Sequence, residues 1–268
     1  LVNSSMDVLD GIEKISGIRP EFEEIDLTDG EVTRDFFARH SDIRAVIHFA
    51  ALKAVGESVS KPLEYYFNNL NSLMNVLTCM REFKVPNLVF SSSCTVYGQA
   101  DVLPVTEKTP RHEAESPYGN TKVMSEDIIR DLMRVEPDMK ALALRYFNPI
   151  GAHPTAFIGE LPNGVPNNLI PYLTQTAIGI REQLSVFGDD YNTPDGSPLR
   201  DYIDVVDLAQ AHVVAIRRLL EGKNKKNKGM PRLSPGCPFP SLLCGSQRLR
   251  LPVHPLMADC RKQVSAHR

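Results

Sequence analysis

The sequence predicts an α/β fold in which a doubly wound parallel sheet carries helices on both faces. Up to residue 222, short apolar runs alternate with segments whose apolar residues recur at helical spacing, and polar loops separate the two. The short runs are apolar throughout rather than at every second position, which is typical of strands buried on both faces of a parallel sheet.

The predicted elements follow this alternation. The run Ala-Val-Ile-His-Phe-Ala at 45–50 is a compact apolar strand candidate of the kind that fills the centre of a sheet. In order, the predicted strands are 21–26, 45–50, 87–91 and 141–147, and the predicted helices are 31–39, 63–83 and 118–135. Such connections between parallel strands place helices against the sheet.

Beyond residue 150 the alternation loosens into a second, smaller region, residues 151–222. Prolines punctuate a loop-rich stretch, and two shorter helices are predicted at 168–180 and 205–220. A region of this kind suits a partial cap that covers a substrate beside the sheet formed by residues 1–150.

Residues 223–268 have a different composition. They contain ten Lys/Arg and one Asp, against 20 Lys/Arg and 32 Asp/Glu in the preceding 222 residues. Six prolines, three cysteines and a single aromatic residue, Phe239, follow no helical or strand period. We interpret this atypical basic tail as disordered or as the product of a shifted reading frame. A basic tail can bind nucleic acid, but no nucleic-acid partner is expected for this chain.

Composition also excludes several classes of protein. The chain has no apolar run long enough to span a bilayer and no evident signal peptide, so no membrane partner is expected. Its five cysteines are unevenly placed and form no CxxC pair, so we expect no metal site and a reducing, cytoplasmic setting.

The start of the chain lacks one feature of nucleotide-binding sheets. Such sheets normally open with a strand, a glycine-rich turn and a helix whose N-terminus receives a pyrophosphate. No GxGxxG or GxxGxxG occurs in this chain, and the candidate strand 21–26 stands where a third strand would be. We therefore expect the first βαβ unit to be missing, unless the protein does not bind a nucleotide.

Tyr118 and Lys122 form the first candidate site. Four residues apart on a predicted helix, they share one face. A tyrosine with its ordinary pKa of about 10 is a poor base at neutral pH. A nearby ammonium, together with a positively charged cofactor ring, would favour the phenolate. An ordinary helix start after Ser116-Pro117 explains the same residues without any chemistry.

Ser93 supplies the second candidate. It lies in Phe90-Ser-Ser-Ser-Cys-Thr-Val-Tyr-Gly98, where a buried strand gives way to a loop and where open α/β sheets present ligand-binding groups. Any one serine here is also compatible with a simple turn. A strand-end serine followed on the next helix by Tyr118 and Lys122 is a much rarer combination.

Six segments in order carry a resemblance to a known family: His48-Phe-Ala, Lys53-Ala-Val-Gly-Glu-Ser, 91–98, 118–122, Arg145-Tyr-Phe-Asn-Pro149 and Arg200-Asp-Tyr. From about residue 3 to 222 the chain resembles the UDP-hexose 4-epimerases of the extended short-chain dehydrogenase/reductase family. Bacterial members look particularly similar over 162–171. The resemblance implies a Rossmann-like, NAD-binding domain at 1–150 and a partial substrate region at 151–222.

The resemblance also implies an activity and a partner. It implies NAD-dependent interconversion of UDP-galactose and UDP-glucose through a 4-keto intermediate, as in galactose metabolism. Tyr118 would exchange a proton with the sugar 4-hydroxyl, Ser93 would hydrogen-bond that oxygen, and Lys122 would bind the nicotinamide ribose. Homodimerisation through helices such as 63–83 and 118–135 is expected for the family.

Further positions match less specific contacts of the family. The cofactor contacts implied are Asp26, Leu27, Phe49, Lys53, Asn68, Tyr146 and Phe147. The substrate contacts implied are Thr95, Asn148, Asn168, Leu169, Ser185, Phe187 and Arg200. Phe49 is equally compatible with the sheet core, Lys53 with a solvated loop, and Arg200 with a surface ion pair to Asp201. Asp204 departs from the family, which usually has histidine there.

Three alternatives remain open on the sequence. A nucleotide-sugar 4,6-dehydratase shares the fold, but dehydratases typically have Asp-Glu after the threonine of the strand-end loop, and this chain has Val96 after Thr95. A decarboxylase or hexuronate epimerase would also use the Tyr and Lys pair. A truncated remnant without catalysis is the third alternative.

Overall fold

The computed structural model describes residues 3–186 and 188–223. In chain order the elements are α1 (Asp7–Ser16), α2 (Gly30–Arg39), β1 (Ala45–His48), α3 (Val55–Ser60), α4 (Pro62–Glu82), β2 (Asn87–Ser93), a 3₁₀ helix (Cys94–Tyr97), α5 (Pro117–Val135), β3 (Lys140–Tyr146), β4 (Asn148–Ile150), α6 (Leu169–Ala177), β5 (Tyr202–Asp204) and α7 (Val205–Leu220). The predicted tail beyond residue 223 lies outside the described residues.

The main sheet of the described residues is parallel, in the order β1-β2-β3. Ala45 pairs with Asn87 at the start of the β1–β2 ladder, and Ser93 pairs with Tyr146 at the end of the β2–β3 ladder. Because parallel strands end at the same edge, this register places the residues that follow β1, β2 and β3 together.

Helices cover both faces of this sheet. Leu88 and Phe90 of β2 belong to an apolar cluster with residues of α4 and α5. Val89, between them in sequence, packs with Ala215 and Leu219 of α7. Since alternate residues of a strand point to opposite faces, α4 and α5 cover one face and α7 the other. The prediction of a doubly wound α/β sheet is confirmed.

Local chemistry sets the start of the helix that matters most. Ser116 caps α5 by accepting a hydrogen bond from the Gly119 N–H at 3.1 Å, and Pro117 occupies the first turn. Gly119 also permits a close approach, since a Cβ there would lie 3.3 Å from Thr95 Cβ. The N-terminal turn of α5 therefore lies directly against the loop after β2.

The prediction of a strand at 21–26 is wrong. These residues are mostly exposed and form no strand, because a strand needs a partner and none pairs with them among the described residues. The chain just after them is instead held by a side chain of α4: Asn75 donates to the carbonyl oxygens of Leu27 at 2.9 Å and Thr28 at 3.0 Å.

Three differences concern helices. Helix α3 was not predicted. Helix α1 was not predicted, although acidic residues in its first turn and Gly17 in a left-handed conformation after its last residue are ordinary helix signals. Helix α6 ends at Ala177, not at 180, and Gly179 adopts a positive φ of 80°. The other predicted helices agree with α2, α4, α5 and α7 to within one residue at each end.

A second, two-stranded parallel sheet, β4–β5, leads into α7. Asp204, the departure noted in the sequence, ends β5 and caps α7 by accepting a hydrogen bond from Val206 N–H at 2.7 Å. Aspartate is a favoured N-cap, so this residue has a local structural role that histidine would not fill in the same way. No helix of the described chain is long and apolar enough to cross a membrane.

Candidate active site

The candidate site lies at the carboxyl end of β2. Ser93 is the last residue of this strand, is buried and has an extended backbone. Its hydroxyl oxygen accepts a hydrogen bond from Thr95 N–H at 3.2 Å, which turns the chain into the 3₁₀ helix. The strand end therefore holds the Ser93 hydroxyl at a defined position against α5.

Tyr118 faces Ser93 from the first turn of α5. Burial raises the pKa of Tyr118 to about 12, and a hydrogen bond with the Ser93 side chain acts in the opposite direction. The neutral phenol therefore dominates near pH 7 in this environment. The Ser93 hydrogen bond alone does not bring the pKa near 7, so ionisation at neutral pH requires a positive charge beside the ring.

Lys122 lies one turn further along α5 and is only 5% exposed. Its ammonium donates to the Ser91 carbonyl oxygen at 2.8 Å and lies 5.0 Å from the centre of the Phe90 ring and 5.8 Å from that of Tyr118. Burial lowers the pKa of Lys122 to about 8. The ammonium is close to Tyr118, yet burial is the main cause of the raised pKa of the phenol, and the hydrogen bond with Ser93 is what opposes it.

Two further polar residues complete the edge. The Tyr146 hydroxyl, at the end of β3, is hydrogen-bonded to the Ser91 hydroxyl, and burial raises the pKa of Tyr146. His48, at the end of β1, is 4% exposed. Burial, with a smaller contribution from Lys122, lowers its pKa to about 4. His48 is therefore neutral at physiological pH.

Lys122 and Phe49 offer a dinucleotide two kinds of contact at this edge: hydrogen-bond donors and an apolar surface. An ammonium has three N–H donors, and among the described residues the Ser91 carbonyl is the acceptor that Lys122 engages. The remaining donors suit ribose hydroxyls. Phe49 follows β1 and is 56% exposed, with its ring centre 4.7 Å from that of His212, so it offers an apolar surface rather than filling the core.

The other cofactor candidates each make contacts with neighbouring residues of the protein. Lys53 is exposed, with its ammonium 4.0 Å from the Glu160 carboxylate, and Asn68 on α4 donates to Asn69. Asp26 caps a turn by accepting from Thr28, which lowers the pKa of its carboxyl group. Phe147 packs partly buried beside the 3₁₀ helix, and Leu27 packs against the core.

Among the substrate candidates, Thr95 is closest to the Ser93 position. Its hydroxyl oxygen is buried and has no hydrogen-bond partner among the described residues. A buried hydroxyl without a partner is costly, so this atom suits a ligand hydroxyl. Arg200 lies near enough to Cys94 to influence the pKa of that thiol, which places the guanidinium on the same side of the site.

The remaining substrate candidates lie on the smaller region. Asn148 donates to the Asp201 carbonyl oxygen at 2.9 Å, and Asn168 donates to the Glu160 carboxylate at 2.6 Å. Leu169 and Ser185 are exposed. Phe187 lies outside the described residues. The Arg200 guanidinium donates to the Leu199 carbonyl oxygen at 2.9 Å.

Sequence reasoning missed two charged residues behind the site, Glu126 and Arg145. Glu126 is fully buried and accepts a hydrogen bond from the Ser92 hydroxyl at 2.7 Å. Arg145, from β3, donates to both of its oxygens. The signal was present, since Glu126 follows Lys122 by one helical turn and Arg145 stands in a motif that carried the resemblance. No cluster of three or more metal-ligating side chains occurs in the described ranges.

A parallel α/β sheet with serine, tyrosine and lysine at one strand end defines a class of nucleotide-cofactor enzymes. The chain belongs to the NAD dependent epimerase/dehydratase family, whose model matches residues 4–227.

Within this family, the chain is similar in sequence to UDP-glucose 4-epimerases. Over 219 residues the chain is 52% identical to the UDP-glucose 4-epimerase of Mus musculus, covering 82% of this chain and 63% of that protein. It is 52% identical over 220 residues to the UDP-glucose 4-epimerase of Bacillus subtilis, covering 82% and 64%. The chain thus spans less than two thirds of the length of these relatives.

A solved structure agrees with this likeness. The UDP-glucose 4-epimerase of Bifidobacterium longum, crystallised in complex with NAD⁺ and UDP, matches with a TM-score of 0.78 and 46% identity, covering 81% of this chain and 64% of that one. The fold and the family follow from these comparisons, whereas the roles of individual site residues stay predictions.

Proposed function

We propose that this chain carries the reacting centre of a UDP-hexose 4-epimerase, which interconverts UDP-galactose and UDP-glucose through a 4-keto intermediate. The observation that carries the proposal is the placement of Ser93, Tyr118 and Lys122 at one strand end. The relatives named UDP-glucose 4-epimerase support the choice of substrate.

NAD, when bound, would accept a hydride from sugar C4 and return it to the other face of the ketone. Lys122 would hold the nicotinamide ribose, and Phe49 and Tyr146 would border the cofactor. Tyr118 would take the proton of the 4-hydroxyl as the hydride leaves and give it back as the hydride returns. Ser93 would hydrogen-bond the same oxygen throughout.

The pKa of Tyr118 bears on this role. Burial holds the phenol neutral near pH 7 because its pKa is about 12. The oxidised nicotinamide carries the additional positive charge that would favour the phenolate. Proton abstraction is therefore expected to depend on the oxidised form of the cofactor.

The proposal is tested by assaying the purified chain for conversion of UDP-galactose to UDP-glucose with added NAD⁺. Turnover in the chain and its loss in Tyr118→Phe are expected. A folded chain that neither binds NAD⁺ nor turns over would refute the proposal for this chain. Mass spectrometry of the product tests the dehydratase alternative, because dehydration removes one water and epimerisation conserves mass.

We also propose that a second copy of the chain covers one face of α4 and α5. Leu63, Phe67 and Met74 of α4 are 77%, 65% and 44% exposed, and Met124 of α5 is 38% exposed. Such a run of exposed apolar side chains on adjacent helices is typical of an oligomer interface. Phe67→Glu is expected to shift the mass measured by light scattering from dimer to monomer; a wild-type monomer would refute this.

We infer a reducing, cytoplasmic setting for the enzyme. Cys79 and Cys94 are both free thiols, and Cys79 is buried, where burial raises its pKa. Free buried thiols are common in reducing compartments. Fractionation of cells that express the chain, followed by detection of the protein in the cytoplasmic fraction, is the corresponding measurement.

A further inference from the structure

A buried carboxylate lies where the elements of the candidate site meet. Glu126 of α5 is fully buried, and its Oε1 accepts a hydrogen bond from the Ser92 hydroxyl of β2 at 2.7 Å. Arg145 of β3 donates from Nε to Oε1 at 2.8 Å and from Nη2 to Oε2 at 2.5 Å. One carboxylate therefore joins α5 to both strands.

A third segment reaches the same group. Arg111 belongs to the loop between the 3₁₀ helix and α5, and its Nη1 lies 3.7 Å from Glu126 Oε2. At this distance the contact is one of charge, and Nη1 has no hydrogen-bond partner among the described residues. Arg111 Nη2 donates to the Asp127 carboxylate at 2.7 Å. The Glu126 carboxylate is thus bounded by three segments that are distant from one another in sequence.

The contacts of Glu126 lie beside the reacting residues. Ser92 directly precedes Ser93, and Arg145 stands opposite Ser92 in the β2–β3 ladder. Tyr118 lies two helical turns before Glu126 on α5 and meets the Ser93 side chain. Because Ser93 belongs to β2 and Tyr118 to α5, a shift of the helix along the strands would separate the two hydroxyl groups.

Stability alone does not account for this network. A buried ion pair gains little over well-packed apolar side chains, because the cost of removing its charges from water offsets their attraction. Apolar cores lose a unique arrangement before they lose stability. Hydrogen bonds to one carboxylate instead fix both a distance and a direction. The network is therefore suited to define a single position of α5 against the strands.

We propose that Glu126 is a positioning residue that, through Ser92 and Arg145, sets the position of α5 against β2 and so brings the Tyr118 hydroxyl to Ser93. Glu126 acts through the elements that it joins, and its contacts are made with the protein. The inference deepens the proposed function and rests on it only for the effect on turnover.

The test is the triple variant Ser92→Ala/Glu126→Leu/Arg145→Met, which replaces the polar network by apolar side chains. Its free energy of unfolding should stay close to that of the wild type, because the partners are removed together. The kcat for epimerisation should nevertheless fall about 10- to 100-fold, since a small displacement of reacting groups is enough for such a loss. The KM for the UDP-sugar should change by less than about threefold, because the proposed contacts of the smaller region are unaltered.

A second measurement follows the position of Tyr118 directly and needs no turnover. The Cζ resonance of Tyr118, observed by NMR of ¹³C-tyrosine-labelled protein and assigned with Tyr118→Phe, reports the hydrogen bond of its hydroxyl group. Ser93→Ala shows how far this resonance moves when that bond is lost. The resonance should move in the same direction in the triple variant, and by a smaller amount in Ser92→Ala, which removes one hydrogen bond to Glu126.

The matched control is Asp131→Asn/Arg134→Gln, which removes an exposed ion pair of the same helix and should change neither kcat nor the resonance. If the triple variant does not fold, Ser92→Ala decides in its place, with kcat expected to fall about 3- to 10-fold. A wild-type kcat or an unmoved Tyr118 resonance in the folded variant overturns the proposal. A wild-type chain without turnover refutes the proposed function instead, and the resonance comparison still decides this inference.

Discussion

The two parts of the candidate site are built differently. The proposed reacting residues Ser93 and Lys122 are buried between β2 and α5, and each forms a contact with a neighbouring element. In the smaller region, large apolar side chains are left open, with Leu161 84% and Leu199 77% exposed. The core of the sheet therefore positions the candidate reacting residues, whereas these apolar side chains of the described smaller region are left open to solvent.

The contacts in the smaller region explain this difference. Asn148 and Arg200 donate to backbone carbonyl oxygens of nearby residues, and such exposed contacts are easily exchanged for contacts with a ligand. Lys122 and Glu126 have no such freedom, because solvent does not reach them. Substitutions in the two parts should therefore differ in kind as well as in size.

The largest effect on activity is expected for Tyr118→Phe. Removing the hydroxyl eliminates the proton-transfer group, so kcat should fall by about 10³-fold or more while the fold is retained. The measurement is the rate of UDP-galactose conversion with saturating NAD⁺. Tyr66→Phe is the control, because the Tyr66 hydroxyl accepts a hydrogen bond from Asn120 and has no proposed chemistry. Near-normal turnover in Tyr118→Phe would contradict the assignment.

The stability of the two parts is compared by Leu142→Ala and Leu161→Ala. Leu142 is 2% exposed in the core of the sheet, and Leu161 is 84% exposed. The first change should lower the free energy of unfolding by about 2–5 kcal/mol, and the second by less than about 0.5 kcal/mol. Urea denaturation measures both. Similar losses at the two sites would mean that the smaller region contributes to the same core.

Lys122→Met should lower turnover, though less than Tyr118→Phe does, yet stabilise the fold at pH 7. Burial lowers the lysine pKa from 10.5 to about 8, so the unfolded chain binds more protons between these values and stability rises with pH there. Below pH 8 the full cost of the buried charge is present, and removing it should add on the order of 1–3 kcal/mol. Urea denaturation should show that the variant gains more free energy of unfolding, relative to wild type, at pH 7 than above pH 10. An equal gain at the two pH values would exclude a charge effect.

The smallest effect on activity is expected for Arg200→Gln. If Arg200 binds a phosphate of the substrate, its loss should raise KM for the UDP-sugar by about tenfold with little change in kcat or stability. Steady-state kinetics separate the two constants. Arg39→Gln is the control, since Arg39, the last residue of α2, forms an ion pair with Glu23 and has no proposed role in the site. A fall in kcat without a change in KM would place Arg200 with the reacting residues instead.

Much of the fold could be predicted because it depends on local patterns. Ser116-Pro117 specifies where α5 begins, and the apolar runs around Val89 and Leu142 specify buried strands. The run around Val46 also forms a strand, but that strand is only partly buried because it lies at the edge of the described sheet. The failed strand at 21–26 shows the limit of such patterns. Extended backbone becomes a strand only when another strand pairs with it, and pairing depends on residues distant in sequence.

The candidate site likewise has some features that follow from the local sequence and others that follow from tertiary packing. By itself the sequence determined the helical spacing of Tyr118 and Lys122, the position of Ser93 at a strand end and, through resemblance, the family. Only the tertiary structure decided that burial raises the pKa of Tyr118 and lowers that of Lys122, and that Arg145 from β3 occupies the Glu126 carboxylate. The physical reason is that spacing along a helix follows from local geometry, whereas desolvation and charge pairing depend on which distant segments pack around a group.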